Sequence, residues 1–223
     1  MGSDLTCVAQ RLIEWGNLNA DDYPWRWPDT AYESVVAEIF LIRTPPHQVL
    51  PVYRRFMHCY PIIQDLYHAD PQDVETIIEP LGLKWKAPML LCMAEYVMVA
   101  FAGIFPRSMR ALVSIPGLGP YTAAAVKCFF YRQRAVFVDT NTVRFFFRYC
   151  SHTYGAEPRR DHHLFADMDS LTPNSDDEAV RFNTAFLDFM RKICRRKPGL
   201  PKCDMCPLSR SCSFLVPEFY GWE

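Results

Sequence analysis

The chain has 223 residues, of which half are apolar, and its 24 basic and 25 acidic residues leave a net charge of −1. This length suits one large domain or two small interlocked ones, and the near-neutral charge excludes a uniformly basic nucleic-acid-binding protein. No apolar run approaches the roughly 18 residues that a membrane span needs, and the N-terminus lacks the layout of a secretory signal. We therefore expect a soluble, intracellular protein.

Hydrophobic periodicity predicts helices through most of the chain, with Gly and Pro marking their ends. The predicted helices cover residues 4–15, 32–42, 45–58, 62–67, 71–78, 87–101, 107–114, 121–131, a stretch that begins after 139, and 176–193. Residues 135–138 are predicted to be extended, and the sequence has no convincing strand pairs or internal repeats. The predicted fold class is therefore all-α, with short helices.

Basic residues and cysteines cluster near the C-terminus. Six basic residues and no acid lie between Arg191 and Lys202, a run that alone is as typical of a solvated surface as of a binding site. Five of the nine cysteines are scattered among apolar neighbours and are interpreted as small buried hydrophobes. The odd total, without a signal segment, argues against a disulfide framework. The other four have the spacing C-x8-C-x2-C-x5-C and can hold either a [4Fe–4S] cluster or a zinc ion; they are Cys194, Cys203, Cys206 and Cys212.

The segment 112–126 contains the most informative helical motif. Gly117 and Gly119 lie between two predicted helices, where glycine permits a positive φ and the close approach of another backbone. The second helix begins with free N–H groups that suit a phosphate, and Leu118 is expected to insert into the core. A Pro-Gly-x-Gly turn alone is more often an ordinary helix connection, but the apolar residues before it and Tyr-Thr-Ala-Ala after it make this one specific.

These hairpin residues resemble those of the helix-hairpin-helix DNA glycosylases, a superfamily that includes endonuclease III and the adenine and thymine mismatch glycosylases. The resemblance implies a two-lobed fold, excision of a base from double-stranded DNA, and DNA contacts at Gly117, Gly119 and Thr122. It predicts a six-helix lobe over residues 30–135. Residues 1–29 and 136–223 would form the second lobe, which carries the four cysteines.

Asp139 follows the hairpin at a predicted helix start, where aspartate is also a common N-cap. The resemblance implies that Asp139 is catalytic, because the family carries its catalytic aspartate in a matching Val-Asp-x-x-x-x-Arg segment. Breaking a glycosidic bond builds positive charge on the sugar, and a fixed carboxylate can stabilise that charge or orient a water. Arg144 and Arg148 lie one turn apart on the following helix and are expected to face phosphate.

Family members that also cut the DNA backbone carry a lysine two residues after the last hairpin glycine, and its amine forms a Schiff base. This chain has Tyr121 there, so we predict a monofunctional glycosylase; taken alone, the tyrosine is a half-buried residue that packs the helix start. Glu38 is a single charge on an otherwise apolar helix and is either exposed or, as the resemblance implies, part of the base pocket. Tyr121 favours the thymine branch, as does Ile42-Arg43-Thr44 where the adenine branch usually has Gln-Gln-Thr.

For the four cysteines the resemblance favours a [4Fe–4S] cluster over zinc, although the first spacing is two residues longer than usual. We expect the cluster to have a structural role and to fix a basic loop against the DNA backbone. The loop residues predicted to bind DNA are Arg195, Arg196 and Lys197, with Lys202 and Arg210 near them. Candidates for the rim of the base pocket, from their places on the matching helices, are Arg43, Thr44, Phe186 and Leu187.

The sequence thus predicts a monomeric, monofunctional DNA glycosylase that removes thymine or uracil opposite guanine. We expect it in the cytoplasm of a bacterium or archaeon, near the nucleoid. The alternative reaction is excision of adenine opposite guanine or oxidised guanine. Two alternatives from other classes remain open, a DNA-binding module without catalysis and a zinc-binding interaction protein.

Overall fold

A computed structural model describes residues 2–82, 85–196 and 200–215. The chain forms two compact units. One consists of the residues before Tyr23 together with those after Tyr131, and the other is Tyr23–Tyr131. Within the described ranges no residue is in a β-strand.

The described part of the chain contains eleven α-helices, joined by turns and short 3-10 helices. They are α1 Gly2–Asn19, α2 Ala31–Leu41, α3 Pro46–Cys59, α4 Ile63–Tyr67, α5 Pro71–Ile78, α6 Lys86–Phe101, α7 Met109–Ser114, α8 Pro120–Phe129, α9 Thr140–Cys150, α10 His162–Leu171 and α11 Asp176–Lys192. The predicted all-α fold class is confirmed, and residues 135–138 lie outside any helix, in line with the prediction for them. The sequence analysis did not predict α10. None of the described helices has the length and apolarity to cross a membrane.

Local capping explains where several helices begin. The side chains of Thr30, Asp70, Ser108, Asp139 and Asp161 each accept a hydrogen bond from a backbone N–H in the first turn of the helix that follows. Such caps satisfy donors that an α-helix leaves without intrahelical partners. Replacing a capping side chain by alanine typically costs about 1 kcal/mol of stability.

The Tyr23–Tyr131 unit is built around α2. Five of the six α2 residues from 35 to 40 are completely buried: Val35, Val36, Ala37, Ile39 and Phe40. The sixth is Glu38. Side chains from α3, α5, α6 and α8 complete the same core. Because residues 34–40 of α2 are all buried, Glu38 lies among buried neighbours.

The other unit has an aromatic core in which α9 and α11 supply most of the rings. Phe145 and Phe186 meet edge to face at 5.3 Å between centroids. Phe186 is completely buried, so the prediction that it lies on a pocket rim is wrong; its ring contributes to packing. Leu187 is half-buried.

Helices α1 and α11 cross closely at Gly16. A Cβ atom added to Gly16 would lie 2.3 Å from the Cβ of Ala185. That separation is far below van der Waals contact, so the crossing requires the absence of a side chain at Gly16.

Candidate active site

The predicted hairpin is present, and its two glycines have different roles. Gly117 has a φ of 84°, which favours glycine, and an added Cβ would approach the Met89 side chain to 2.6 Å. Gly119 is the extended N-cap of α8 with a φ of −81°, and a Cβ there would have no neighbour within 4 Å. Leu118 is buried, as predicted. The turn therefore requires glycine at residue 117, whereas at residue 119 glycine leaves open space beside the backbone.

Two residues follow the hairpin at the start of α8. Tyr121 is half-buried in the first turn. Thr122 is buried, so its side chain packs into its unit, and the DNA contact expected at Thr122 stays a prediction. Backbone N–H groups in the first turn of α8 can bind an anion.

Glu38 is 6% exposed on α2. The alternative that it is an exposed surface charge is therefore wrong. A buried carboxyl group is costly unless it has partners or a chemical use. Its burial makes Glu38 a candidate for a site that a ligand enters, and its role in base binding stays a prediction.

The turn after α2 contains the two rim candidates Arg43 and Thr44. Arg43 is exposed and has a left-handed backbone with a φ of 57°. Thr44 is buried, and its hydroxyl donates to the Ile42 carbonyl at 3.2 Å. The side chain of Thr44 therefore faces inward, and its place at the rim of the base pocket stays a prediction. The buried ammonium of Lys86 donates to the Ile42 carbonyl at 3.1 Å. The sequence did not point to Lys86 as part of this turn.

Asp139 is the half-buried N-cap of α9. Its Oδ1 accepts hydrogen bonds from the backbone N–H groups of Asn141 at 2.8 Å and Thr142 at 3.0 Å. Its Oδ2 accepts one from Nδ2 of Asn141 at 2.6 Å. The N-cap interpretation is thus correct, and it does not exclude a chemical role. One carboxylate oxygen is fixed by the helix, while the other still has a lone pair for a further partner.

Arg144, which was expected to face phosphate, donates hydrogen bonds within the protein. Its Nε donates to the carbonyl of Cys194 at 3.0 Å, and one terminal nitrogen donates to Oδ1 of Asn141 at 2.9 Å and to the Met190 carbonyl at 3.1 Å. Its Nε and one terminal nitrogen are thus occupied by protein acceptors, and the expected phosphate contact of Arg144 stays a prediction. Together these bonds form a continuous hydrogen-bonded chain from the Asp139 carboxylate through Asn141 and Arg144 to the backbone of Cys194.

All four C-terminal cysteines line one cavity, whose other walls include Phe145, Phe189, Leu208 and Phe214. All nine cysteines of the chain are free thiols. Among the five scattered ones, Cys7, Cys59 and Cys92 are exposed, so their interpretation as buried hydrophobes is wrong. Burial raises the pKa of Cys206 to about 12. Burial, followed by the neighbouring thiols, also raises the pKa of Cys212. The cavity therefore disfavours bare thiolates, and a bound cation would be needed to stabilise them.

Arg148 brings a positive charge to this cavity. It donates to Sγ of Cys194 at 3.4 Å and to the carbonyl of Arg195 at 2.8 Å, and its guanidinium lies 5.0 Å from the centre of the Phe214 ring. The expected phosphate contact of Arg148 is thus replaced by contacts to the cysteine loop. Arg148 therefore connects α9 to the loop that carries Cys194.

The basic residues between Arg191 and Lys202 differ in whether they have partners within the protein. Arg191 is ion-paired with Asp21 and Asp188, and Lys192 with Asp21, so these two cations connect α11 to the end of α1. Arg195 donates to the Leu200 carbonyl at 3.0 Å, whereas Arg196 is exposed. Lys197, which was predicted to bind DNA, lies outside the described residues. Lys202 and Arg210 are exposed near the cysteines.

Comparison with known proteins identifies relatives across nearly the whole chain. The thymine/uracil-DNA glycosylase of Pyrobaculum aerophilum is 32% identical over 213 residues, which cover 94% of this chain and 92% of that protein. A solved structure of a thermostable thymine-DNA glycosylase matches with a TM-score of 0.87 and 29% identity, covering 95% of this chain and 96% of that chain. The chain belongs to the thymine/uracil-DNA glycosylase family. The predicted resemblance to helix-hairpin-helix DNA glycosylases is thereby confirmed.

The adenine DNA glycosylase of Mycolicibacterium smegmatis is a less complete match than these thymine/uracil-DNA glycosylases. It is 30% identical over 199 residues, which cover 89% of this chain and 66% of that protein. No protein-family model matches the chain.

Proposed function

We propose that this chain is a monofunctional DNA glycosylase that hydrolyses the bond between deoxyribose and a flipped thymine or uracil opposite guanine. The observation that carries the proposal is the Asp139 carboxylate. One of its oxygens is fixed by two backbone N–H groups, and the other accepts from Asn141 alone among the described residues. The choice of thymine or uracil as the base comes from the relatives, which are named thymine/uracil-DNA glycosylases.

Asp139 is suited to the charge that develops during base loss. As the bond to the base lengthens, positive charge builds on the sugar. A carboxylate held rigid before the reaction stabilises that charge without reorganising, which is the most effective form of electrostatic catalysis. The same oxygen can orient the attacking water.

Glu38 and Tyr121 are proposed to bind the flipped base. Flipping costs least at a mismatch, because pairing is already weak there. The buried carboxyl of Glu38 can hydrogen-bond the polar edge of a pyrimidine. Tyr121 has a half-buried ring and no amine, so it cannot form a Schiff base, and we expect base release without efficient strand cleavage.

The cysteine cavity fits a [4Fe–4S] cluster better than a single zinc ion. A tetrahedral zinc site with bonds of about 2.3 Å would bring its sulfur atoms to about 3.8 Å from one another. Among the described residues, no three of the four cysteine sulfurs lie mutually within 4.8 Å, so the thiols surround a larger space. Cys194, Cys203, Cys206 and Cys212 would hold the cluster, which would supply a rigid support for the loop.

Exposed cations are proposed to bind the DNA backbone next to this loop. Arg196, Lys202 and Arg210 are exposed, and none of their side chains has a partner among the described residues. Neutralising phosphates releases counterions and supplies sequence-independent affinity. The backbone beside Gly119 would receive a second phosphate. We propose that the enzyme works as a monomer on double-stranded DNA inside the cell.

The Asp139→Asn variant tests this proposal, because asparagine keeps an N-cap acceptor and removes the charge. Under single-turnover conditions on duplexes with G·T or G·U, we expect base release to slow about a thousandfold with the affinity for DNA retained. Asp161→Asn is the matched control. Asp161 is also a helix N-cap, accepting from His163 N at 2.8 Å and Gly155 N at 3.0 Å. Equal rates for the two variants would reject Asp139 as the catalytic carboxylate.

A further inference from the structure

The turn that ends α2 has a strained backbone at an exposed residue. Ile42 N donates to the Ile39 carbonyl, and Thr44 N donates to the Leu41 carbonyl. Between them Arg43 has a φ of 57°, which is unfavourable for any residue with a Cβ. Its guanidinium is exposed and has no hydrogen bond or ion pair to any residue that the structure describes. Strain of this kind persists only where surrounding contacts enforce it, and it is enriched at functional sites.

Lys86 supplies those contacts. It is the first residue of α6 and is completely buried. Its Nζ lies 2.9 Å from the Phe40 carbonyl, 3.1 Å from the Ile42 carbonyl and 3.5 Å from the Thr44 hydroxyl. An ammonium has three donors, and here it lies within 3.5 Å of three acceptors between residues 40 and 44, two of which belong to the neighbours of Arg43.

The electrostatics of Lys86 are those of a cation without a carboxylate partner. No ion pair links it to a described acidic residue, and burial lowers its pKa to about 8. The last carbonyls of α2 lack intrahelical partners and form the negative end of the helix dipole, and they partly offset the cost of burying the charge. A methionine would occupy a similar volume without that cost, so filling the core does not by itself require a cation.

We propose that Lys86 is a positioning residue for DNA binding: it holds the turn at residues 42–44 so that Arg43 presents its guanidinium to the substrate. The inference rests on the proposed function, since DNA is the ligand. Lys86 touches no substrate and acts through the turn. Glu38 precedes Ile42 by one helical turn, so the same anchor stabilises the end of the helix that carries it.

The backbone part of this proposal is tested by melting temperatures. Arg43→Ala keeps the left-handed strain, whereas Arg43→Gly relieves it but makes the unfolded chain more flexible. With Lys86 present, we expect the glycine variant to melt about 2 °C above the alanine variant. In a Lys86→Met background the turn relaxes, and the glycine variant should melt at or below the alanine variant. Should Lys86→Met fail to fold, the first comparison still decides: a glycine variant no more stable than the alanine variant would overturn the proposal.

The functional part is tested by affinity for a duplex that carries a non-cleavable abasic analogue opposite guanine. Lys86→Met and Arg43→Ala should each weaken binding about tenfold, and the double variant should also bind about tenfold more weakly, because both changes remove the same contact. A roughly hundredfold loss in the double variant would mean that Lys86 acts independently of Arg43 and would overturn the proposal.

Lys127→Met is the control for losing one positive charge, because Lys127 lies in the last turn of α8, at the end of the helix opposite the hairpin; we expect less than a twofold change. The proposed function can fail separately. A wild-type protein that neither binds nor cleaves any duplex would refute DNA as the ligand, whereas the melting comparison would still report whether Lys86 holds the turn.

Discussion

The two units of the molecule fix their candidate site residues by different means. In the Tyr23–Tyr131 unit, a buried apolar helix carries Glu38, and the end of that helix is held by one buried cation, Lys86. In the other unit, Asp139 is fixed by backbone N–H groups and by a hydrogen-bonded chain that reaches the cysteine loop. The first arrangement combines apolar packing with one buried cation, whereas the second depends on a chain of polar contacts. The second should therefore respond to whatever occupies the cysteine cavity.

The largest effect is expected when one thiol is removed from the cysteine cavity. Cys206→Ser should abolish the binding of the full cluster and unfold the loop around it, because metal binding and folding of such a loop are coupled. The measurement is iron and sulfide per chain together with thermal unfolding. Cys59→Ser, at an exposed cysteine, is the control. A Cys206→Ser protein with four irons and an unchanged melting temperature would refute the assignment.

Packing in the unit that contains Asp139 is tested at the crossing of α1 and α11. Gly16→Ala should lower the free energy of unfolding by about 2 kcal/mol, since its Cβ would meet Ala185 at 2.3 Å and the helices would have to separate. Denaturant titration measures the loss. Adding Ala185→Gly should restore most of the stability, and a double variant no more stable than Gly16→Ala would show that the contact is not the cause.

The hydrogen-bonded chain is tested at its centre. Arg144→Met keeps the apolar stem but removes the bonds to Asn141 and the Cys194 carbonyl. We expect single-turnover base release to slow about tenfold, equivalent to about 1.4 kcal/mol, and iron to be released faster on chelation. Arg181→Met, which removes an exposed ion pair with Asp177, should change neither. If Arg144→Met matched the wild type in both assays, the chain would have no functional role.

The sequence predicted the features that depend on neighbouring residues, but not those that depend on distant ones. The hairpin, the N-cap at Asp139 and most helices follow from local signals, since periodicity and capping act within a few residues. The helix α10 had such a signal too, with Asp161 as its cap and Leu164, Met168 and Leu171 at helical spacing, but it is short and was passed over. Local signals therefore account for the helical framework.

Contacts over long sequence distances account for what the sequence analysis got wrong. Lys86 is bonded to groups 42 to 46 residues away, and a lysine is exposed by default. Arg144 was expected to face phosphate, yet its acceptors lie up to 50 residues further along. The burial of Thr44, Thr122 and Phe186 was not predicted for the same reason, because it depends on tertiary packing.

The smallest predicted effect concerns the ion pairs at the end of α1. Burial tends to raise the pKa of Asp21, but hydrogen bonds from Lys192 and Arg191 outweigh it, and the pKa lies below its usual 3.8. Its contribution to stability, about 0.5 kcal/mol, is therefore present above about pH 4 and is lost as pH falls through the lowered pKa. Asp21→Asn should be less stable than the wild type at pH 7 and equal to it near pH 2. Asp22→Asn, at an exposed neighbour, should show no such pH-dependent difference.

The central claim is tested most directly by single-turnover base release on duplexes with G·T, G·U, adenine opposite oxidised guanine, and matched controls, each analysed with and without alkali. We predict strand cleavage at G·T or G·U that appears only after alkali, which means base removal without lyase activity. Cleavage of G·T without alkali would contradict the argument from Tyr121, cleavage at adenine alone would contradict the proposed substrate, and no cleavage of any duplex would contradict the proposed catalysis.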